Sequence, residues 1–270
     1  MTSTAYTPRL EQIDELTRGL ELPFAALDEE HLRLIGEALA RAWSDLSDTQ
    51  EAVLATGSEA EINALMETRL CQLLDEDPLW QQLVRTVTRG KETVSFNGSR
   101  LEMRPDLSIH LSTRTPSFPL IVECKLIDPA SGKTNTLYCN NGLKRFLSGD
   151  YGWGVRESFM LAYVRDQSTT ASCLSPFLQG SRTLEPEPYA IVDLPPSASH
   201  PTLDLARTAH NRAFKYPNRH PPKDEPGPIA IWHLWLQVAL PAPLPRVQNL
   251  SRPARRRRRG RGCDLPPVSG

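Results

Sequence analysis

The stretch Leu120-Ile121-Val122-Glu123-Cys124-Lys125-Leu126-Ile127 constrains the fold of this chain more than any other. It is apolar and β-branched until a carboxylate and an ammonium interrupt it, which is the pattern of a buried strand. With a period of two, Ile121, Glu123 and Lys125 share one face while Val122 and Cys124 point to the other. Upstream, Arg104-Pro105-Asp106-Leu107-Ser108-Ile109-His110 brings a second carboxylate onto a neighbouring strand. Two carboxylates and an ammonium so placed can hold a divalent cation and steady a water or a phosphate. The same residues also suit a plainer arrangement, in which Asp106 ends a turn after Pro105 and Glu123 with Lys125 is an edge-strand ion pair.

Around this centre the pattern is that of an α/β protein. A helix is expected over Leu27 to Leu46, capped by Asp28 and carrying Leu32, Ile35, Leu39 and Trp43 at helical spacing, after a polar N-terminal arm. A connection leads to a second helix from about Ser58 to Asp75, where Ser58 followed by Glu61 forms a capping box. Glu59 falls on its inward side; it either answers the helix dipole or, as Glu61 would in its place, leans into an active site. After Asp77-Pro78 the spacing predicts a helical turn over Leu79 to Val87, then a hairpin of Glu92 to Phe96 and Arg100 to Met103 about Asn97-Gly98, its second arm running on to Leu111. Strand Leu120 to Ile127, a helix over Thr136 to Leu147 stopped by Gly149, and strand Glu157 to Val164 follow. A crossover helix between two strands favours a mixed sheet. Further on, Thr169 to Pro188 reads as irregular, Tyr189 to Leu194 as a strand, Leu205 to Phe214 as a short helix and Ile229 to Leu240 as a strand closing one edge, with Trp232 and Trp235 in the core. His110 reads as a surface or packing residue rather than a ligand, and His210-Asn211-Arg212 as a loop hydrogen-bonding group, with contact to substrate as the alternative if its segment folds back.

Charge separates the end of the chain from the rest. The formal net charge of −1 conceals seven arginines between Arg252 and Arg261, which leave the body acidic. Such a tail is expected to be disordered when free; it suits salt-sensitive tracking of phosphates and equally a solubility or chance low-complexity tail. The domain expectation is therefore an N-terminal arm and packing helix over 1–57, a folded domain over 58–240 with its common core at about 58–164, and a Pro/Arg-rich tail over 241–270. Five cysteines without paired spacing argue against a disulfide framework or a zinc site. The absence of a long apolar run or a leader pattern gives the expectation of a soluble, cytoplasmic protein with no membrane partner.

Pro105-Asp106 followed by Glu123-Cys124-Lys125 resembles the PD-(D/E)xK nuclease superfamily, the restriction-endonuclease-like fold, and the helix-strand-strand-strand-helix-strand order over 58–164 is similar to its common core. Asn140-Asn141-Gly142-Leu143-Lys144-Arg145-Phe146 and then Gly149-Asp150-Tyr151 is similar to segments that follow Glu-x-Lys in restriction-like proteins of bacterial defence loci. The resemblance implies Asp106 and Glu123 as metal-binding carboxylates and the backbone carbonyl of Cys124 as a further ligand. It implies Lys125 as the group that orients or helps deprotonate the attacking water and offsets phosphate charge. It also implies Glu59 as the acid of the first core helix, and Arg145, beside Lys144, near the scissile phosphate.

Hard oxygen ligands suit Mg²⁺, or Mn²⁺. The expected function is Mg-dependent phosphodiester hydrolysis of DNA by a restriction or anti-phage defence endonuclease, with a homodimer or a defence-system protein as partner. Two alternatives stand beside it: a nuclease that processes RNA, and a catalytically inactive nucleic-acid-binding or assembly protein on the same fold.

Overall fold

The computed structural model describes residues 8–100, 102–194, 200, 202–217 and 219–239. The chain divides into two units, Met1–Leu240 and Pro241–Gly270, and the arginine-rich tail lies outside the described residues. Five helices come first: α1 (Pro8–Thr17), α2 (Glu29–Thr49), α3 (Glu51–Thr56), α4 (Glu59–Glu76) and α5 (Pro78–Leu83). Then follow β1 (Val84–Arg89), β2 (Leu107–Leu111), β3 (Leu120–Ile127), α6 (Asn135–Tyr138), a π-helical turn at Cys139–Leu143, α7 (Lys144–Leu147) and β4 (Glu157–Val164). A second π turn at Thr170–Leu174, α8 (Ser175–Ser181), β5 (Ile191–Asp193), β6 (Leu205–His210) and β7 (Ile229–Gln237) complete the described elements. None of the described helices is long and apolar enough to cross a membrane.

The strands form one mixed sheet in the order β1-β2-β3-β4-β7-β6-β5. β3, β4 and β7 run parallel at its centre, and antiparallel pairs extend it on both sides. Central parallel strands are covered on both faces, and every residue of β4 is buried. Val122, Cys124, Phe159, Leu161 and Tyr163 face a core shared with α2 and α4. Ile121, Met160 and Ala162 face a second core under α6, the π turn, α7 and α8. α2 thus belongs to the same core as the sheet, with Asp28 Oδ1 accepting from Glu30 N at 2.8 Å as its cap.

Several elements depart from their sequence reading. The helical turn expected over Leu79 to Val87 stops at Leu83, because β-branched Val84, Thr86, Val87 and Thr88 pair with β2 as the edge strand β1. The hairpin about Asn97-Gly98 is present as a small projection joined at Thr93 and Met103 rather than as a strand of the sheet. β6 replaces the expected short helix, since pairing with β7 satisfies its backbone and buries alternate side chains. β7 consequently lies inside the sheet, not at its edge. α8 occupies the supposedly irregular 169–188 because Pro176 sits in its first turn, where proline is tolerated. The polar arm contains α1, whose Ile13 packs with Phe118, Trp153 and Phe214 in a third cluster.

Gly149, beyond α7, has φ of +76°, and a Cβ there would meet Phe96 Cδ1 at 2.6 Å and Phe214 Cδ1 at 2.8 Å. Both the backbone and the packing exclude a side chain. Gly149→Ala should therefore destabilise the fold by about 2 kcal/mol, read as a shift in the urea midpoint; an unchanged midpoint would show that the aromatic pair yields freely.

Candidate active site

β2 pairs with β3 only from Leu107↔Val122 to Ile109↔Leu120, whereas β3 stays paired with β4 as far as Ile127. Beyond Val122 the β2-side edge of β3 has backbone groups without a ladder partner, and buried backbone groups require partners. Side chains supply them. Cys124 N donates to Asp106 Oδ2 at 2.8 Å, Leu126 N donates to Glu59 Oε2 at 3.0 Å, and the Cys124 carbonyl accepts from Lys125 Nζ at 2.6 Å. The split between two strands is what gathers the charged residues.

Lys125 Nζ lies at the centre of this group. It is 2.8 Å from Glu123 Oε1, 3.2 Å from Glu59 Oε1 and 3.4 Å from Asp106 Oδ2. Burial opposes its charge, but the carboxylates of Glu123, Asp106 and Glu59 outweigh that cost and hold its pKa above the ordinary lysine value. Glu123 is only 1% exposed. Arg145 Nη1 approaches its Oε1 at 3.3 Å from α7 and also donates to the Tyr151 hydroxyl at 2.8 Å. Burial, with Asp106 nearby, pushes the Glu123 carboxyl up to about 7 against the pull of Lys125 and Arg145. Gly142, just before α7, lets the turn lie against β4, since a Cβ there would meet Met160 Cε at 2.5 Å; toward Glu123 Cγ it would stand 3.6 Å away, an ordinary contact. The π turn containing Gly142 widens the helix at the same place.

The structure brings together Glu59, Asp106, Glu123, Lys125 and Arg145 with the Cys124 carbonyl. Three hard oxygens, Asp106 Oδ2, Glu123 Oε1 and Cys124 O, lie within 3.4 Å of one cationic atom. Glu123 Oε1 faces Lys125 and Arg145, but its Oε2 is buried with no partner among the described residues. A buried acceptor left in this way is unusual and fits a set of ligands for a cation. Among the described residues no three His, Cys, Asp or Glu side chains are grouped to hold a metal; the set here is two carboxylates and a backbone carbonyl.

Sequence reasoning passed over Asn63. It follows Glu59 by four residues on α4, hence on the same helix face. Its Nδ2 donates to Asp106 Oδ1 at 2.9 Å and its Oδ1 accepts from the Tyr163 hydroxyl at 2.8 Å. That spacing was the available signal. Asn63→Ala would take the acceptor from the buried Tyr163 O–H and the donor from one Asp106 oxygen, so a loss of about 2 kcal/mol is expected. A double-mutant cycle with Tyr163→Phe checks it, because the two losses should not add.

The architecture defines an α/β protein with a mixed seven-stranded sheet flanked by helices. Compared with known proteins, the chain matches no protein-family model, no curated protein and no solved structure.

Proposed function

We propose that this chain is a metal-dependent phosphodiesterase of the PD-(D/E)xK, restriction-endonuclease-like type, acting on DNA. The observation that carries the reading is the convergence of Asp106, Glu123, Lys125 and the Cys124 carbonyl where β2 and β3 separate. Asp106, Glu123 and that carbonyl would hold Mg²⁺ or Mn²⁺, which when bound supplies Lewis acidity toward a phosphate and its attacking water. Lys125 orients the water and offsets charge that accumulates on the phosphoryl oxygens. Arg145, 38% exposed at its side chain, can turn from Glu123 to a phosphate and bind it through two N–H groups. Glu59 fixes both the end of β3 and the ammonium of Lys125. Asn63 is a positioning residue that sets the Asp106 carboxylate through a hydrogen bond.

Supercoiled and linear DNA incubated with the intact protein, with and without Mg²⁺ or Mn²⁺, should be cleaved only with metal. Lys125→Ala should lower the rate by about 10²–10³-fold. Matched RNA as competitor separates the two nucleic acids, since a 2′-hydroxyl changes both contacts and groove shape. Metal-independent cleavage, or cleavage equal in the variant, would remove the proposal.

A further inference from the structure

A cavity of about 340 Å³ opens on the sheet face that carries Glu123. Its floor is Ser108 and His110 of β2 with Ile121 of β3. Ser108 pairs across the ladder with Ile121, and Ile121 precedes Glu123 by one step on the same face, about 7 Å along the strand. Phe118 and Trp153, edge to face with centroids 4.9 Å apart, supply an aromatic wall. The indole N–H of Trp153 is already donated to the Val94 carbonyl at 2.7 Å, so this ring offers surface and no donor.

The floor has polar groups to spare. Ser108 is buried, and its Oγ has no hydrogen-bond partner among the described residues. An unpaired buried hydroxyl costs free energy and marks a place for a ligand atom. Beside it, His110 Nε2 meets Thr88 Oγ1 only at 3.4 Å. Burial and the nearby Lys91 favour the neutral imidazole; its one N–H is directed to the Pro116 carbonyl, which leaves the other ring nitrogen as an acceptor. At the rim, Asp150 and Glu92 are paired with Arg100 at 3.0 Å and Arg104 at 2.5 Å, while Lys91 is exposed with no carboxylate paired to it among the described residues.

These features narrow the ligand by elimination. A wholly apolar ligand would leave Ser108 unpaired, and a charged group on the floor would find no countercharge there. A flat, neutral heterocycle with donors and acceptors along its edge satisfies both the floor and the aromatic wall. An anionic group attached to it would meet Lys91. We propose that this cavity receives a nucleobase with its phosphate toward Lys91, so that a nucleotide next to the scissile phosphodiester is turned out of its stack and read there.

The inference rests on the hydrolase reading above, and the same base chemistry also belongs to a free nucleotide. Oligonucleotides carrying 2-aminopurine at successive positions, mixed with the full chain in chelator, form one arm of the test. Deoxynucleoside monophosphates titrated by calorimetry form the other. Emission should change several-fold at one position and not at its neighbours, because unstacking is confined to the base that enters. Thr93→Trp, which fills the cavity from the hairpin, should abolish that change, and Ser108→Ala should weaken binding about tenfold. If Thr93→Trp does not fold, Ser108→Ala alone decides. Binding of monophosphates that Ser108→Ala weakens, with no emission change in DNA, assigns the cavity to a free nucleotide. Metal-dependent cleavage with no response in either arm overturns the cavity proposal and leaves the hydrolase reading intact. Nucleotide binding sensitive to Ser108→Ala without cleavage under any metal does the reverse.

Discussion

Glu123→Gln should stop metal-dependent cleavage and, in chelator, make the folded chain more stable. The carboxylate is almost fully buried, its Oε2 has no partner among the described residues, and its pKa is pushed up to about 7 by burial and by Asp106 against the pull of Lys125 and Arg145. A folded-state pKa above the unfolded value means that the charged form is held at a cost. That cost is complete above pH 7 and disappears as pH falls toward the ordinary glutamate value, near 4.5. The amide removes it, so the variant should gain on the order of 2 kcal/mol at pH 8 and little at pH 4.5. Loss of cleavage should reach about 10²–10³-fold. Asp106→Asn should behave oppositely in stability. Its two oxygens accept from Asn63 Nδ2 and Cys124 N, and an amide there must set one N–H against a donor, at about 1–3 kcal/mol. Urea denaturation of both variants at the two pH values in chelator makes the comparison. A Gln variant less stable than the parent at pH 8 would show that Lys125 and Arg145 more than offset the burial of Glu123. A buried carboxylate that costs the fold stability is what a functional site is expected to contain.

Much of this site was legible because its chemistry lies on the strongest local patterns. An eight-residue apolar strand broken by Glu123 and Lys125, a capping box at Ser58 and Glu61, and a helix stopped at Gly149 each depend on neighbours in sequence, and the structure has β3, α4 and α7 there. Period-two alternation also placed Glu123 and Lys125 on one face. The elements that escaped depend on long-range pairing. Leu205 to His210 has the composition of a helix or a strand, and β7 decides between them. The position of β7 inside the sheet is a property of topology, which alternation along one strand cannot express. Asn63 escaped for a related reason, since its partners Asp106 and Tyr163 come from two different strands. His110 reads as a surface or packing residue, and Ser108 draws no reading, because nothing local signals that Phe118 and Trp153 leave a space beside them.

Acid should unfold this chain through two buried histidines. His233 of β7 and His210 of β6 lie in one hydrogen-bonded series: Tyr138 hydroxyl to His233 Nδ1 at 2.9 Å, His233 Nε2 to Thr208 Oγ1 at 2.8 Å, Thr208 Oγ1 to His210 Nε2 at 2.7 Å, and His210 Nδ1 to the Tyr189 carbonyl at 2.8 Å. The carbonyl can only accept, so His210 donates from Nδ1 and accepts at Nε2 from the threonine hydroxyl. Thr208 then accepts from His233 Nε2, and His233 Nδ1 accepts from Tyr138. A proton added at His210 Nε2 would face the Thr208 hydroxyl as a second donor, and one added at His233 Nδ1 would force the Tyr138 O–H to turn to the Met160 carbonyl, at 3.4 Å a poorer acceptor. Burial pushes His210 down to about 4 and His233 to about 3, and the Tyr189 carbonyl and Glu187 only partly counter this for His210. Since the folded values lie below the ordinary 6.5, stability is intact above that pH and is lost as pH falls toward 3–4, by roughly 2–3 kcal/mol per histidine at pH 4. That is a large share of the 5–15 kcal/mol typical of a whole fold. Glu123 acts in the opposite direction between pH 7 and 4.5, so the effect is cleanest in Glu123→Gln. In that background, the pH dependence of the urea midpoint from 6.5 to 4 should flatten on His210→Gln with His233→Gln; an unchanged slope would mean that the histidines take up protons without leaving the fold.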